Sequence, residues 1–372
     1  MSEFATAGGT STYARRFADL TAQGHFRGAR GLQFSTIGFG TYLGEADAPT
    51  DAAYRAAVGA ALQRGCNVFD TAINYRFQRS ERVIGDALAA AFAAGAITRE
   101  EIVVATKGGY LSFDSDPPRD PGLWFHDTFV ATGVAGVDDL AAGCHCMAPA
   151  YLRHQIATSL RNLRLHCVDI YYVHNPETQL AEVPRDDLHA RLRAAFAQLE
   201  EAVAAGQIRM YGVATWNGLR QPQSARDHLS LQALVGLAEE VGGKQHHFRV
   251  VQAPFNLAMP EALTHSNQTV GEERLPLFAA ADRLGVTVIA SASMLQGRLS
   301  RQLPPELSDI LAGLESDAQR AIQFVRSTPG LTTALVGMQQ LRHVEENLAT
   351  ARVAPLSPEQ FMTLFHRADE HA

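Results

Sequence analysis

Apolar and polar positions follow a repeated order along the chain: an alanine-rich stretch with helical spacing, a short break, often at glycine, and then a β-branched apolar run. Seven such units follow one another, and the apolar run LQFSTIGFG at 32–40 precedes them. The pattern therefore predicts eight strands. The helices of the seven units are predicted at about 51–65, 80–94, 149–164, 186–205, 224–241, 272–284 and 315–327.

Strands that alternate with helices must be parallel, because each helix carries the chain back over the sheet before the next strand begins. An open, doubly wound sheet would need a phosphate-binding GxGxxG motif between its first strand and first helix, and none occurs there. We therefore predict an α/β fold, a closed (β/α)8 TIM barrel.

The rest of the chain is assigned around this barrel. Residues 1–30 are predicted to form a flexible or loosely packed N-terminal arm, and residues 31–372 a single domain. Long loops are expected after strand three, from Gly108 to Pro149, and after strand six, at about 254–270, where such loops often bind ligands. A helix near 340–350 would complete the ring, with an appended C-terminal helix at about 357–369.

Composition narrows the function classes. The 372 residues are 46% apolar and 19% charged, as is typical of a soluble enzyme. The net charge is −7 and the basic residues are dispersed, which argues against a nucleic-acid groove or a basic membrane patch. The expected partner is a small molecule, and the sequence does not indicate an oligomeric state.

The cysteine content and the hydropathy pattern bear on location. Cys66, Cys144, Cys146 and Cys167 are few for a chain of this length, which fits a reducing compartment. The first thirty residues do not resemble a signal peptide, and no run approaches the roughly 18 apolar residues of a membrane span. We expect a cytoplasmic protein.

Chemistry-bearing residues stand where predicted strands end, which is where barrel enzymes build their active sites. Strand two ends in Asp70, strand three in Lys107 and strand four in His174, and Tyr75 follows five residues after the acid. A phenol has an ordinary pKa near 10, so Lys107 is expected to favour its ionised form while Asp70 pairs with the ammonium. His174 would hydrogen-bond the substrate oxygen, and a cofactor would supply the hydride. The alternative is a structural ion pair between Asp70 and Lys107.

These residues and their surroundings resemble the aldo-keto reductase superfamily over residues 35 to 350. The resemblance implies reduction of an aldehyde or ketone to an alcohol, or the reverse, with NADP as cofactor and NAD as a possibility. It also implies that Tyr75 is the acid/base, that Lys107 and Asp70 tune it, and that His174 orients the carbonyl. The segments that carry it are GFGTYLG at 38–44, NVFDTAINYRFQRSERVIGDAL at 67–88, IVVATKGGY at 102–110 and VDIYYVHNPE at 168–177.

The resemblance also implies a cofactor site. Gln252 stands where relatives bind the nicotinamide carboxamide, and Glu346 and Asn347 stand where they hold the adenine. The residues assigned to cofactor binding are Gly40, Thr41, Tyr42, Asp70, Asn175, Thr215, Gln252, Ser291, Gly337, Met338, Gln339, His343, Glu346 and Asn347.

Several positions depart from the family pattern. Ala214 and Thr215 replace a Ser-Asn pair, and Ser291 replaces an aromatic residue that stacks on the nicotinamide. Gly337 and His343 stand where a lysine and an arginine usually hold the 2′-phosphate of NADP. The preference for NADP over NAD thereby loses its usual electrostatic basis, although NADP is still expected from the family.

Four aromatic residues are predicted to line the substrate pocket: Tyr42, Tyr110, Trp124 and Trp216. Simple packing is an equally good interpretation of Trp216, as is loop packing for Tyr110 and Trp124.

The Cys144-His145-Cys146 segment invites a metal hypothesis. Tetrahedral sites usually space their first ligands by two to four residues and need a second cluster, so we predict ordinary loop structure and no metal.

Two other functions fit the same residues. The changes at Ala214, Thr215 and Ser291 motivate an epimerase or lyase that retains its nicotinamide cofactor. A cofactor-binding regulatory subunit is the third hypothesis, and the complete set of Asp70, Tyr75, Lys107 and His174 argues against it.

Overall fold

The computed structural model of the chain describes residues 3–369, with side-chain packing described to residue 365. This part contains twelve strands: eight form a barrel and four form two hairpins. The strands are β1 Phe26–Ala29, β2 Leu32–Ser35, β3 Ile37–Gly40, β4 Val68–Asp70, β5 Val103–Gly108, β6 Val168–His174, β7 Ile208–Ala214, β8 Phe248–Pro254, β9 Gln268–Val270, β10 Glu273–Leu275, β11 Thr287–Ser291 and β12 Leu331–Gly337.

Strands β3 to β8, β11 and β12 close into a barrel in the order of the sequence, and every pair is parallel. All eight strands therefore point their carboxyl ends to the same rim. The predicted eight-stranded parallel barrel is confirmed.

Helices surround the barrel, one after each of its strands: α2, α3, α5, α6, α7, α9, α11 and α12. The predicted C-terminal helix is also present, as α13. The helices are α1 Ala7–Arg16, α2 Ala48–Leu62, α3 Arg79–Ala93, α4 Pro121–Phe125, α5 Pro149–Leu163, α6 Arg185–Ala204, α7 Leu231–Gly242, α8 Glu261–Thr264, α9 Leu277–Arg283, α10 Glu306–Ile310, α11 Asp317–Ser327, α12 Leu341–Ala349 and α13 Pro358–Asp369.

The apolar run at 32–40 is not one strand. Its first half, β2, pairs antiparallel with β1, and its second half, β3, enters the barrel. The β1–β2 hairpin closes the floor of the barrel, the end opposite the carboxyl rim. Its Leu32 and Phe34 side chains are buried against the inward-facing side chains of the barrel strands. Those side chains are Val68, Val103, Ala105, Ile170, Tyr172, Met210, Ala214, Val250, Ile289 and Leu335.

Two predicted helices are shorter than expected. The one at 224–241 begins only at Leu231, because the Ser230 side chain accepts the backbone N–H of Ala233 as an N-cap. The one at 272–284 begins at Leu277, because the preceding residues form the β9–β10 hairpin. In both cases, residues that precede the helix were predicted to belong to it.

The N-terminal segment is packed, which corrects the expectation of a flexible or loose arm. The backbone N–H of Ala5 donates to Asp169 Oδ1 at 2.7 Å. Tyr13 of α1 is fully buried, and its hydroxyl donates to the Leu62 carbonyl at 2.7 Å. The division into an arm at 1–30 and a single domain at 31–372 stays a prediction.

The long loop after β5 has a small hydrophobic core of its own. Leu111, Phe125, Phe129, Cys146 and Tyr151 are buried in it. The loop carries α4 and a π-helical turn, so it is an ordered element beside the barrel rim.

His145 fixes this loop to the rim. Its Nε2 lies 2.7 Å from the backbone carbonyl of His174, at the end of β6, and its Nδ1 lies 2.8 Å from Gln179 Nε2. Arg191 donates to Gln179 Oε1. The ring is fully buried, and burial lowers the pKa of His145 to about 4 although its bond to the carbonyl opposes this shift. The ring is therefore neutral, and its hydrogen bonds hold the loop to the rim.

Among the described residues, no group of three or more His, Cys, Asp or Glu side chains is placed to hold a metal ion. None of the helices in the same range has the length and apolar character that crossing a membrane requires.

We expect His145 to make the fold sensitive to acid. The unfolded chain takes up a proton below a pKa of 6.5, whereas the folded ring resists protonation down to about 4, so stability is present above 6.5 and is lost as the pH falls. In His145→Gln, the loss of unfolding free energy between about pH 7 and about pH 4.5 should be smaller by about 2.5 kcal/mol. Urea denaturation at both pH values measures this loss.

The control is His126→Gln, because His126 lies exposed in the same loop. It should keep the pH dependence of the wild-type protein. An unchanged pH dependence in His145→Gln would contradict the assignment.

Candidate active site

A buried ion pair lies at the carboxyl end of the barrel. Asp70 is the last residue of β4, and Lys107 lies near the end of the neighbouring strand β5. The Lys107 ammonium donates to Asp70 Oδ1 and, at 2.8 Å, to the Thr71 carbonyl. Gln252 of β8 donates from across the rim to Asp70 Oδ2 at 2.8 Å. The carboxylate thus has a donor on each oxygen.

Tyr75 and His174 lie above this pair. The Lys107 Nζ is 4.9 Å from the centre of the Tyr75 ring. The rings of Tyr75 and His174 meet edge to face with centres 5.9 Å apart, and the rings of Tyr42 and Tyr75 meet edge to face at 5.1 Å. The structure therefore brings together all four residues that the sequence predicts as catalytic.

The pKa of Tyr75 differs from the expectation. Burial raises the pKa of Tyr75, and the nearby Lys107 charge offsets only part of this shift. We expected Lys107 to lower the phenol pKa, but desolvation outweighs it. Burial alone would lower the pKa of Lys107, yet Asp70 and Tyr75 raise it, so the ammonium stays charged. The phenol is accordingly a protonated acid beside a fixed cation.

His174 is held uncharged. Burial, the Lys107 charge and His145 together lower its pKa well below the ordinary value of 6.5. Its Nδ1 is buried without a hydrogen-bond partner among the described residues. A neutral imidazole of this kind can serve as a hydrogen-bond partner for a polar ligand without adding charge.

An unusual turn holds Tyr75 in place. The three residues after it, Arg76, Phe77 and Gln78, all have positive φ angles of 50–69°. Each such residue costs roughly 1–2 kcal/mol. The buried Arg76 side chain compensates, because it pairs with Asp51 at 2.6 Å and donates to the Glu45 carbonyl at 2.8 Å. The contacts of Arg76 with Asp51 and Glu45 were not predicted from the sequence.

The four residues open into a cavity of about 990 Å³. Asp70, Tyr75 and His174 line it, whereas Lys107 lies beneath them. Most of the residues assigned to cofactor and substrate also line it. They are Gly40, Thr41, Tyr42, Tyr110, Asn175, Thr215, Trp216, Gln252, Ser291, Gly337, His343, Glu346 and Asn347.

Three assigned residues are not among those that line this cavity, and their assignments stay predictions. Met338 follows the exposed Gly337 and points into the hydrophobic core, where it is fully buried. Gln339 lies beside Gly44. Trp124 packs between Phe113 and Phe129 in the loop core, because the loop needs its ring to complete a hydrophobic cluster.

One wall of the cavity is the connection after β11, which was not predicted to belong to the site. The sequence signal that could have indicated it is the length of this connection, about 292–316. Arg301 in this wall is a cation that the sequence analysis did not consider. The cavity residues that were not predicted are Leu43, Asn74, Ala292, Ser293, Met294, Gln296, Gly297, Ser300, Arg301, Ala318 and Leu335.

Polar atoms in the cavity wall match a ligand rich in hydrogen-bonding groups. Thr215 Oγ1, Ser293 Oγ and His174 Nδ1 are buried and have no hydrogen-bond partner among the described residues. Buried polar groups without partners are unfavourable, so a ligand that pairs with them would be stabilised. The volume is also in the range of cofactor sites. These features fit a dinucleotide.

The fold matches solved structures of low sequence identity. An aldo/keto reductase from Klebsiella pneumoniae, solved in complex with NADP and acetate, shares 20% identity, with a TM-score of 0.62, over 93% of this chain and 95% of that chain. A glycerol dehydrogenase from Gluconobacter oxydans shares 18% identity, with a TM-score of 0.65, over 94% and 97% of the two chains.

Proteins of similar sequence are also oxidoreductases. A 6-dehydroglucose reductase from Novosphingobium aromaticivorans is 28% identical over 90% of this chain and 93% of its own length. A D-threo-aldose 1-dehydrogenase from a Pseudomonas species is 30% identical over 50% of this chain and 51% of its own length. The profile of the Aldo/keto reductase family matches residues 36–366. The chain belongs to the aldo/keto reductase family.

Proposed function

We propose that this enzyme is an NADP(H)-dependent oxidoreductase that reduces an aldehyde or ketone, or oxidises the alcohol, with Tyr75 as the acid/base. The observation that carries the proposal is the convergence of Tyr75, Lys107, Asp70 and His174 at the mouth of one cavity. When bound, the nicotinamide cofactor supplies the hydride in reduction and accepts it in oxidation.

The protein side of the reaction is a proton transfer. Tyr75 holds a proton at neutral pH because burial raises its pKa, and it gives that proton to the carbonyl oxygen. The phenolate left behind lies beside the Lys107 ammonium, which stabilises it. Asp70 and the Thr71 carbonyl keep that ammonium oriented. His174 stays neutral and orients the substrate oxygen.

The residues at the far side of the cavity would hold the nucleotide. Glu346 and Asn347 of α12 line this part, as does His343. Arg301 contributes a permanent cation to the same cavity, and we assign it to a cofactor phosphate. This assignment restores an electrostatic basis for NADP where Gly337 and His343 lack one. Two neighbouring structures from Klebsiella pneumoniae were solved with NADP and with NADPH, which also supports the cofactor.

The names of the relatives are consistent with carbonyl and alcohol chemistry on small polar molecules, since one is a sugar reductase and another an aldose dehydrogenase. All four cysteines are free, as a reducing compartment allows. A cytoplasmic location is part of the proposal.

Tyr75→Phe tests the proposed mechanism. It removes the proton donor and keeps the ring, so kcat for carbonyl reduction should fall by about 10²–10⁴-fold. Oxidation of NADPH, followed by its absorbance, measures the rate. NADPH binding, followed by the fluorescence of the nucleotide, should stay within about threefold of the wild-type protein, because Tyr75 acts on the substrate oxygen. A variant that reduces its substrate at the normal rate would refute the role of Tyr75.

The pH dependence of reduction is a second test. The His174 pKa lies well below 6.5 and the Tyr75 pKa above 10, so neither group should titrate between these values. At saturating NADPH, kcat/KM for the carbonyl should therefore be level from about pH 6.5 to about pH 10. An inflection near neutrality that disappears in His174→Gln would show that the imidazole is charged in the working enzyme.

A further inference from the structure

A second cavity, of about 520 Å³, adjoins the first. The two cavities share three lining residues, Tyr110, Asn175 and Trp216. The second cavity lies on the outer side of these residues, at the loops that follow β6 and β7. Its other lining residues are Glu177, Thr178, Leu180, Ala181, Asn217, Arg226 and Asp227.

A buried carboxylate fixes the wall between the cavities. Glu177 is 7% exposed, and its Oε1 accepts the backbone N–H groups of Trp216, Asn217 and Gly218 at 2.8, 3.0 and 3.2 Å. Three amides on one oxygen hold the turn in a single conformation. The Trp216 side chain, 43% exposed, is thus presented from a fixed backbone.

The polar groups of this cavity also form an ordered set. Asn175 Nδ2 donates to the Tyr110 hydroxyl at 3.1 Å, and that hydroxyl lies 3.1 Å from Thr178 Oγ1. Asp227 and Arg226 add one charge of each sign at the outer end. Arg226 already donates to the Ala181 carbonyl at 2.8 Å. The cavity therefore offers donors and acceptors together, with no excess of positive charge.

This chemistry selects among ligand classes. An anionic group would face the carboxylates of Glu177 and Asp227 with only one arginine to balance them. A plain alkyl group would leave the polar lining unpaired. A neutral group with several hydroxyls can donate and accept at each of them, and the apolar face of a sugar ring can pack on an indole. A polyhydroxylated ring fits best.

We propose that the second cavity is a distal subsite for a polyhydroxylated ring, so that the substrate is a glycoside or disaccharide whose other ring carries the reacting carbonyl. The inference rests on the proposed function, because it places that carbonyl at Tyr75 and His174. The first cavity must hold the cofactor as well as the carbonyl, and a larger substrate extends past Trp216 into the second.

A matched substrate series tests this subsite. A glucose unit carrying a carbonyl, as the C3 ketone or the C6 aldehyde, is linked at C1 to a methyl group, a hexyl group or a second glucose. NADPH oxidation gives kcat/KM for each compound. We expect the two-ring compound to exceed the methyl compound by about tenfold, which corresponds to about 1.4 kcal/mol. The hexyl compound should gain less than the two-ring compound.

Asp227→Ala tests whether the gain from the second ring arises in the second cavity. It should lower the ratio of kcat/KM between the two-ring and methyl compounds by about tenfold, since hydrogen bonds to a charged group are worth about 1.5–3 kcal/mol. Asp187→Ala, an exposed acid on α6 that lines neither cavity, is the control and should keep the wild-type ratio. The ratio is the readout because a general loss of folded enzyme cancels in it.

Four outcomes would overturn the subsite: no gain from the second ring, an equal gain from the hexyl group, a ratio that Asp227→Ala leaves unchanged, or no turnover of any carbohydrate carbonyl. In the last case, reduction of simple aliphatic or aromatic aldehydes that depends on Tyr75 would leave the proposed function standing. Failure of those aldehydes as well would count against both.

Discussion

The Lys107 ammonium is almost completely removed from water, and a buried charge of this kind is strongly unfavourable unless it is paired and hydrogen-bonded. Asp70 supplies the opposite charge, and the Thr71 carbonyl and Gln252 complete the hydrogen bonds of the pair. Because Asp70 pairs in register with the β5 residue two places before Lys107, the barrel itself sets the two side chains side by side. This charge acts on both neighbours: it opposes the burial that raises the pKa of Tyr75, and it adds to the burial that lowers the pKa of His174.

The two ends of the barrel have different roles: the floor contributes to stability, and the rim carries the reacting groups. At the floor, the β1–β2 hairpin seals the interior with Leu32 and Phe34, and α1 is anchored there through Tyr13. At the rim, the inner side chains give way to polar residues. Because the floor is closed by apolar packing, the rim can keep a buried ion pair and unpaired polar atoms that would destabilise a fold with a weaker core.

The barrel and the four residues at its rim could be predicted from the sequence, because the alternation of strands with helices and the residues at strand ends are local properties of the chain. The sequence did not indicate features that depend on where loops pack. Trp124 faces a loop core, and Arg301 enters the cavity from a connection without a recognisable pattern. Gly337 lines the cavity while its neighbour Met338 is buried in the core, a difference that depends on how the chain packs after β12. The raised pKa of Tyr75 depends on burial, which spacing alone does not give.

Polar side chains, rather than apolar packing, fix the positions of the turns and the loop at the rim. Arg76 and Asp51 hold the left-handed turn behind Tyr75, and Glu177 holds the turn that presents Trp216. His145 ties the long loop to the His174 backbone. Arg76 and Glu177 follow a strand end by a few residues, and His145 contacts the backbone at one, so the strands fix the reacting groups while the loops shape the pockets. A change in substrate can then arise in the loops without disturbing the proton donor, because the Lys107 ion pair belongs to the barrel.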